Sequence, residues 1–202
     1  EARVRGPNIT PGYFKDDART AAAFDEEGFY RMGDALRFVD PACPERGLLF
    51  DGRLAEDFKL SNGTWVSVGP LRTRILQQAG AYVQDVVIAA PDRAFVGALV
   101  FPNVAVCRAL CPNLAADAPI DSVLSDARVV DTFRGLFQRL AAESTGSSTL
   151  VARALLLCDP PSIDAREITD KGSINQKAVL ANRATLVEDI YAEPPPATVI
   201  SI

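Results

Sequence analysis

Apolar residues recur at helical spacing in two stretches of the chain. Val68, Leu71, Ile75 and Ala79 are separated by three, four and four positions, which predicts an amphipathic helix that Gly80 stops. Val129, Phe133, Leu136 and Leu140, four, three and four positions apart, again show helical spacing, and Thr145–Thr149 (TGSST) breaks it. Elsewhere the apolar residues run together over strand lengths. Val83–Ala89 and Phe95–Phe101 read as two strands, and the short Ala90-Pro91-Asp92-Arg93 link predicts that they pair antiparallel. Ala154–Cys158 reads as a buried strand that Asp159-Pro160-Pro161 ends. Shorter patterns predict hairpins. Ala35–Asp40 and Gly47–Asp51 flank the turn-rich PACPER. Phe58–Leu60 and Thr64–Val66 flank Ser61-Asn62-Gly63. Asp16–Phe24 reads as a short helix opened by aspartates. Asn175 is placed to cap a helix over Gln176–Ala184, and the tail around Glu193–Pro196 reads as extended. A few strands and several helices that do not strictly alternate define an α+β fold.

Composition narrows the function. Of 202 residues, 48% are hydrophobic and 23% charged, which suits a globular chain able to bury a core. The net charge is −5 and the basic residues are scattered, so a nucleic-acid surface is not expected. No apolar run approaches the roughly 18 residues of a membrane span. Histidine is absent, which excludes histidine-based triads, bases and metal sites within the chain. Cys43, Cys107, Cys111 and Cys158 lack zinc-knuckle spacing and read as buried, reduced thiols of a cytoplasmic protein, with no metal held by the chain. The first residue is Glu1, and the opening EARVRGPN reads as mid-domain sequence, so the chain is expected to be a piece of a longer protein.

Four motifs carry candidate chemistry, and each also has an ordinary structural reading. Tyr30-Arg31-Met32-Gly33-Asp34 places a carboxylate on a tight bend, where it could accept hydrogen bonds from a ribose diol or simply close a turn. Asp51-Gly52-Arg53 offers a guanidinium to a ribose hydroxyl, to a phosphate, or to a surface ion pair. Phe58-Lys59-Leu60-Ser61-Asn62-Gly63 puts Lys59 on a strand before a glycine turn; the turn could line a ligand channel or be a plain hairpin. Glu167-Ile168-Thr169-Asp170-Lys171-Gly172 puts Lys171 on a loop before a helix. There its charge could stabilise a phosphoryl or carboxylate oxygen, or merely be solvated.

The order of these motifs resembles the second half of the adenylate-forming superfamily, which includes acyl-CoA synthetases, luciferases and peptide-synthetase adenylation domains. The wording YRMGDALRFVDP, GLLFDGRLAEDFKLSNGTWVSVGPLR and EITDKGSINQKAVL is most similar to feruloyl-CoA synthetases. The resemblance covers essentially the whole chain and implies a two-step reaction. A carboxylic acid and ATP give an acyl-adenylate and pyrophosphate; the C-terminal domain then rotates, and the thiol of CoA displaces AMP. It implies that Asp34 holds the ribose, Arg53 contacts the nucleotide, the turn at Lys59 and Gly63 lines the pantetheine path, and Lys171 serves adenylation. Residues 1–54 would end the large N-terminal domain with a β-hairpin, Ala55 would be the hinge, and residues 55–202 would form the mobile C-terminal lid, an α+β domain with a small antiparallel β-sheet flanked by helices. The acyl pocket and most of the ATP and Mg2+ site would lie upstream, so the fragment is expected to be inactive alone.

Two departures stand out. Relatives place glycine directly before the adenylation lysine, whereas here Lys171 precedes Gly172 and Lys177 follows five residues later, leaving Lys177 as the rival. The family's phosphate loop is nowhere in these residues: Ser144–Ser148 (STGSS) has no lysine after it. Alternatives kept open are a fragment of a long-chain fatty acyl-CoA synthetase, a carboxylic acid reductase adenylation domain, or a non-catalytic α+β binding module. The first segment, cut from its parent, is expected to be disordered or to pack on a second copy as a homodimer.

Overall fold

A computed structural model describes every residue from Glu1 to Ile202, and the chain divides into two compact units, Glu1–Asp57 and Phe58–Ile202. The first holds β1 (Arg3–Val4), α1 (Asp17–Ala23), β2 (Tyr30–Arg31), β3 (Asp34–Phe38) and β4 (Leu48–Arg53). β1 pairs with β2, and β3 with β4, both antiparallel. Asp16 caps α1 by accepting from the Arg19 N–H. The helix and hairpin expected here both form, with a single 3-10 turn at Pro44–Arg46 inside the PACPER link.

The second unit contains β5 (Phe58–Lys59), β6 (Trp65–Val66), α2 (Val68–Ala79), β7 (Val83–Ala89), β8 (Val96–Pro102), α3 (Val104–Ala109), α4 (Ile120–Leu124), α5 (Ala127–Ala142), β9 (Val151–Leu156), α6 (Gln176–Asn182), α7 (Ala184–Tyr191) and β10 (Val199–Ser201). Its main sheet has the order β10-β9-β8-β7. Every residue of β8 is buried, as a central strand covered on both faces must be. Side-chain alternation splits β7 and β8 between two cores. Val86, Ile88, Ala98 and Val100 join Leu71 and Ile75 of α2 and Phe133, Leu136 and Phe137 of α5. Val87, Ala89, Leu99 and Phe101 face the other way, to Val179 of α6 and Ile190 of α7. The unit is therefore a helix–sheet–helix sandwich. The periodic residues Val68, Leu71, Ile75 and Ala79 are the buried ones of α2.

The α+β character holds, with corrections in detail. The sheet is mixed: β7–β8 and β9–β10 are antiparallel, but β8–β9 is parallel. The long connection through α3, α4 and α5 permits this, since parallel neighbours need a crossover. β9 begins at Val151 rather than Ala154, and Cys158 lies beyond it, exposed. Cys107 and Cys111 are buried, and burial pushes the Cys107 thiol up to about 11. The last predicted helix ends at Asn182, and α7 follows it directly. The extended tail continues into β10.

Candidate functional site

The candidate residues of the first unit meet across one strand pair. Asp34 opens β3 and Arg53 closes β4, and the antiparallel register sets them opposite each other. An irregularity between Asp34 and Leu36 shifts the ladder, the kind of bulge that re-aims a side chain. Arg53 Nη1 lies 2.9 Å from Asp34 Oδ1. That oxygen is buried yet receives no well-aligned hydrogen bond, so the contact is an ion pair with acceptor capacity left over. The carboxylate is largely shielded, while the guanidinium stays more than half exposed.

In the second unit Lys59 and Gly63 share the β5–β6 hairpin. The Leu60 N–H donates to Thr64 O at 2.9 Å and the Gly63 N–H to Leu60 O at 2.8 Å. Gly63 has φ +83, which a side-chain-bearing residue rarely adopts. Asn62 Oδ1 accepts from the Thr64 N–H at 3.0 Å. Lys59 Nζ sits 5.9 Å from the centre of the half-exposed Trp65 ring. The loop is tied to the β7–β8 link by Ser61 N–H donating to Arg93 O and Asp92 N–H donating to Lys59 O.

Lys171 occupies the tip of a further hairpin. Ile168 and Ile174 bridge, the Thr169 N–H donates to Ser173 O at 2.8 Å, and the Gly172 N–H donates to Thr169 O at 2.9 Å. Gly172 has φ +78, completing a tight turn with a glycine bulge. Gly172 is thus needed by the backbone immediately after the lysine. Lys171 is exposed at the turn, and Lys177 is exposed on the first turn of α6.

Two residues outside the sequence candidates anchor this hairpin. Glu167, at its foot, is 2% exposed. Arg183, at the α6–α7 junction, donates from Nε to Glu167 Oε1 at 3.0 Å and from Nη2 to Oε2 at 2.8 Å. The same guanidinium donates to Asp159 O at 2.9 Å and Pro160 O at 2.8 Å. The hydrogen bonds from Arg183 hold the Glu167 carboxyl below its usual range, against the opposing effect of burial. Glu167 lies within a motif already singled out, but its partner sits sixteen positions on, and no local spacing announces it.

No group of three Cys, Asp or Glu side chains converges to hold a metal ion, so the residues present do not fit an Mg2+ site.

The second unit is thus a helix–sheet–helix module that carries an exposed lysine at the tip of a hairpin tied down at both feet. Residues 56–194 match the family described as the AMP-binding enzyme C-terminal domain, and the chain belongs to that family of the adenylate-forming superfamily. Among curated relatives, it is 23% identical over 195 residues to the probable acyl-activating enzyme 16 of Arabidopsis thaliana, covering 94% of this chain and 26% of that protein. It is 28% identical over 199 residues to the carboxylic acid reductase of Segniliparus rugosus, covering 96% of this chain and 15% of that one. The chain thus spans about a quarter or less of these relatives. The solved structure of the adenylation–carrier didomain of the Segniliparus enzyme, in complex with AMP, superposes with a TM-score of 0.69 at 22% identity, over 95% of this chain and 24% of that one. This likeness supports the fold.

Proposed function

We propose that this chain is the C-terminal part of an ATP-dependent acid–thiol ligase, which converts a carboxylic acid, ATP and CoA to an acyl-CoA, AMP and pyrophosphate. The observation that carries the reading is the family match over residues 56–194, with Lys171 exposed on a hairpin that is fixed at its base. In this reading the first unit ends a larger nucleotide-binding domain. That suits a β3–β4 hairpin whose Phe38, Leu48 and Phe50 stand in solvent. The hinge is assigned to Ala55 on the motif order alone. Asp34 would accept from a ribose hydroxyl with the acceptor capacity Arg53 leaves it, and Arg53 would direct its exposed face to the nucleotide. Lys171 would place a fixed positive charge against the oxygens where negative charge develops as the carboxylate attacks the α-phosphate. The Lys59–Gly63 turn would present backbone to the pantetheine arm. Lys171 is preferred over Lys177 because it projects from a turn, whereas Lys177 belongs to a helix packed on the sheet.

The acid is assigned as a hydroxycinnamate such as ferulate, on the wording of the motifs around Asp34, Lys59 and Lys171. A long-chain fatty acid is the second reading, because several relatives are named fatty-acid ligases, among them human long-chain-fatty-acid–CoA ligase 1 at 32% identity over 104 residues. ATP–pyrophosphate exchange by the intact enzyme, run against a panel of acids, decides between them. Exchange with ferulate above that with palmitate is expected. Exchange with palmitate alone moves the assignment to the second reading, and no exchange with any acid contradicts the ligase. Calorimetry on the 202-residue chain with ATP, AMP and CoA should detect no tight binding.

A further inference from the structure

Only two polar or charged residues are buried in the whole chain, Glu167 and Gln176. They stand at the two feet of the Lys171 hairpin. Gln176 Oε1 accepts the Ile88 N–H at 2.9 Å. That N–H lies on the outer edge of β7, where no further strand takes it up. Glu167 is gripped by the Arg183 fork and also accepts from the Ser162 N–H at 2.9 Å. The guanidinium lies 5.0 Å from the centre of the buried Phe101 ring of β8. Its bonds to Asp159 O and Pro160 O hold the segment that leads into the hairpin. One foot is therefore tied to the edge of the sheet, and the other to α6–α7 and the end of β9.

Core stability does not call for this arrangement. Burying a carboxylate and a guanidinium has a desolvation cost that an apolar pair of the same volume avoids. The ion pair adds direction: a planar fork with fixed bond angles sets where the hairpin leaves the sheet, which greasy contacts would leave loose.

We infer that Glu167, Arg183 and Gln176 form a brace that holds the Lys171 hairpin in one orientation on the sheet, so that Glu167 and Arg183 are positioning residues for the lysine. This rests on the reading of Lys171 given above. Neither residue touches the reacting atoms; each acts through the hairpin backbone.

The test uses the intact enzyme and separates its half-reactions. In R183K and E167Q the rate of adenylation at saturating ATP should fall by about tenfold to a hundredfold, as misplacement of a positioned group does. The KM for ATP and the thiolation of preformed acyl-adenylate should stay within roughly twofold of wild type. Hydrogen exchange at the Thr169, Gly172 and Asn175 amides should quicken by about tenfold or more while β7 and β8 stay protected. E167M/R183M removes both charges together and guards against simple misfolding. It should keep its melting temperature yet remain slow in adenylation. Wild-type adenylation by E167M/R183M, or unchanged hairpin exchange in R183K, overturns the brace. K171A separates the two claims. Loss of adenylation in K171A with none in the brace variants defeats the brace alone, whereas normal adenylation in K171A defeats the lysine's role and the brace with it.

Discussion

The two units solve the problem of holding a candidate residue in opposite ways. In Glu1–Asp57 the apolar side chains contribute almost no core: Ala2 is the one buried apolar residue, while Phe14, Phe38, Leu48 and Phe50 are exposed. Asp34 and Arg53 are placed there by backbone pairing and by each other. In Phe58–Ile202 a doubly covered sheet carries the load, and Lys171 is held at a distance from it by buried hydrogen bonds. Hydrogen-bonded strands set local geometry, but burial makes that geometry resistant to disruption.

The largest test of this contrast compares two phenylalanines. Phe133 is fully buried between α5 and the sheet, so Phe133→Ala should destabilise the second unit by about 3–5 kcal/mol in urea unfolding. Phe50 is 63% exposed, and Phe50→Ala should stay within about 0.5 kcal/mol. Equal losses would erase the distinction. Close packing gives a smaller effect. A Cβ on Gly97 would lie 2.6 Å from Ile190 Cγ2 and 3.1 Å from the Tyr191 hydroxyl. Ile190 is buried and cannot step aside, so Gly97→Ala should cost about 1–3 kcal/mol by thermal denaturation. Helix caps should separate the units by less. Asn175 accepts from the Ala178 N–H and caps a packed helix, and Asn175→Ala should lower stability by about 1 kcal/mol. Asp16→Ala removes the cap of α1, a helix with no buried residue, and should leave the main unfolding transition unmoved.

Acid provides a further contrast. The Glu167 carboxyl titrates below its usual value because Arg183 donates to it. A carboxylate lowered on folding contributes its stability above the unfolded value and loses it as pH falls through the lowered one. The second unit should therefore lose stability below about pH 4.5, the ordinary glutamate value, and Glu167→Gln should flatten that acid limb. An unchanged limb would show that other carboxylates control it.

Much of this was legible in the chain because it was local. The three-and-four spacing of Val68 to Ala79 marked α2, Ser61-Asn62-Gly63 marked its hairpin, and Asn175 marked the start of α6. What escaped depends on distant partners. A continuous apolar run such as that of β8 gives no direction, so the parallel pairing with β9 could not be read. β10 is three residues long and follows a proline-rich tail, and only β9 makes it a strand. The reading of a helix over Gln176–Ala184 overruns α6 by two residues and leaves α7 unread, because no glycine or proline marks Arg183 as a break; its guanidinium is committed to Glu167 and to the carbonyls of Asp159 and Pro160. The motif singles out Lys171 as a candidate, but Glu167 and Arg183 beneath it are brought together only by the fold.

The assignment of Lys171 is tested most directly by Lys171→Ala in the intact enzyme, with pyrophosphate release and thiolation of preformed acyl-adenylate measured separately. Pyrophosphate release should be abolished while thiolation proceeds at close to its normal rate. Normal pyrophosphate release would contradict the assignment and return Lys177 to consideration.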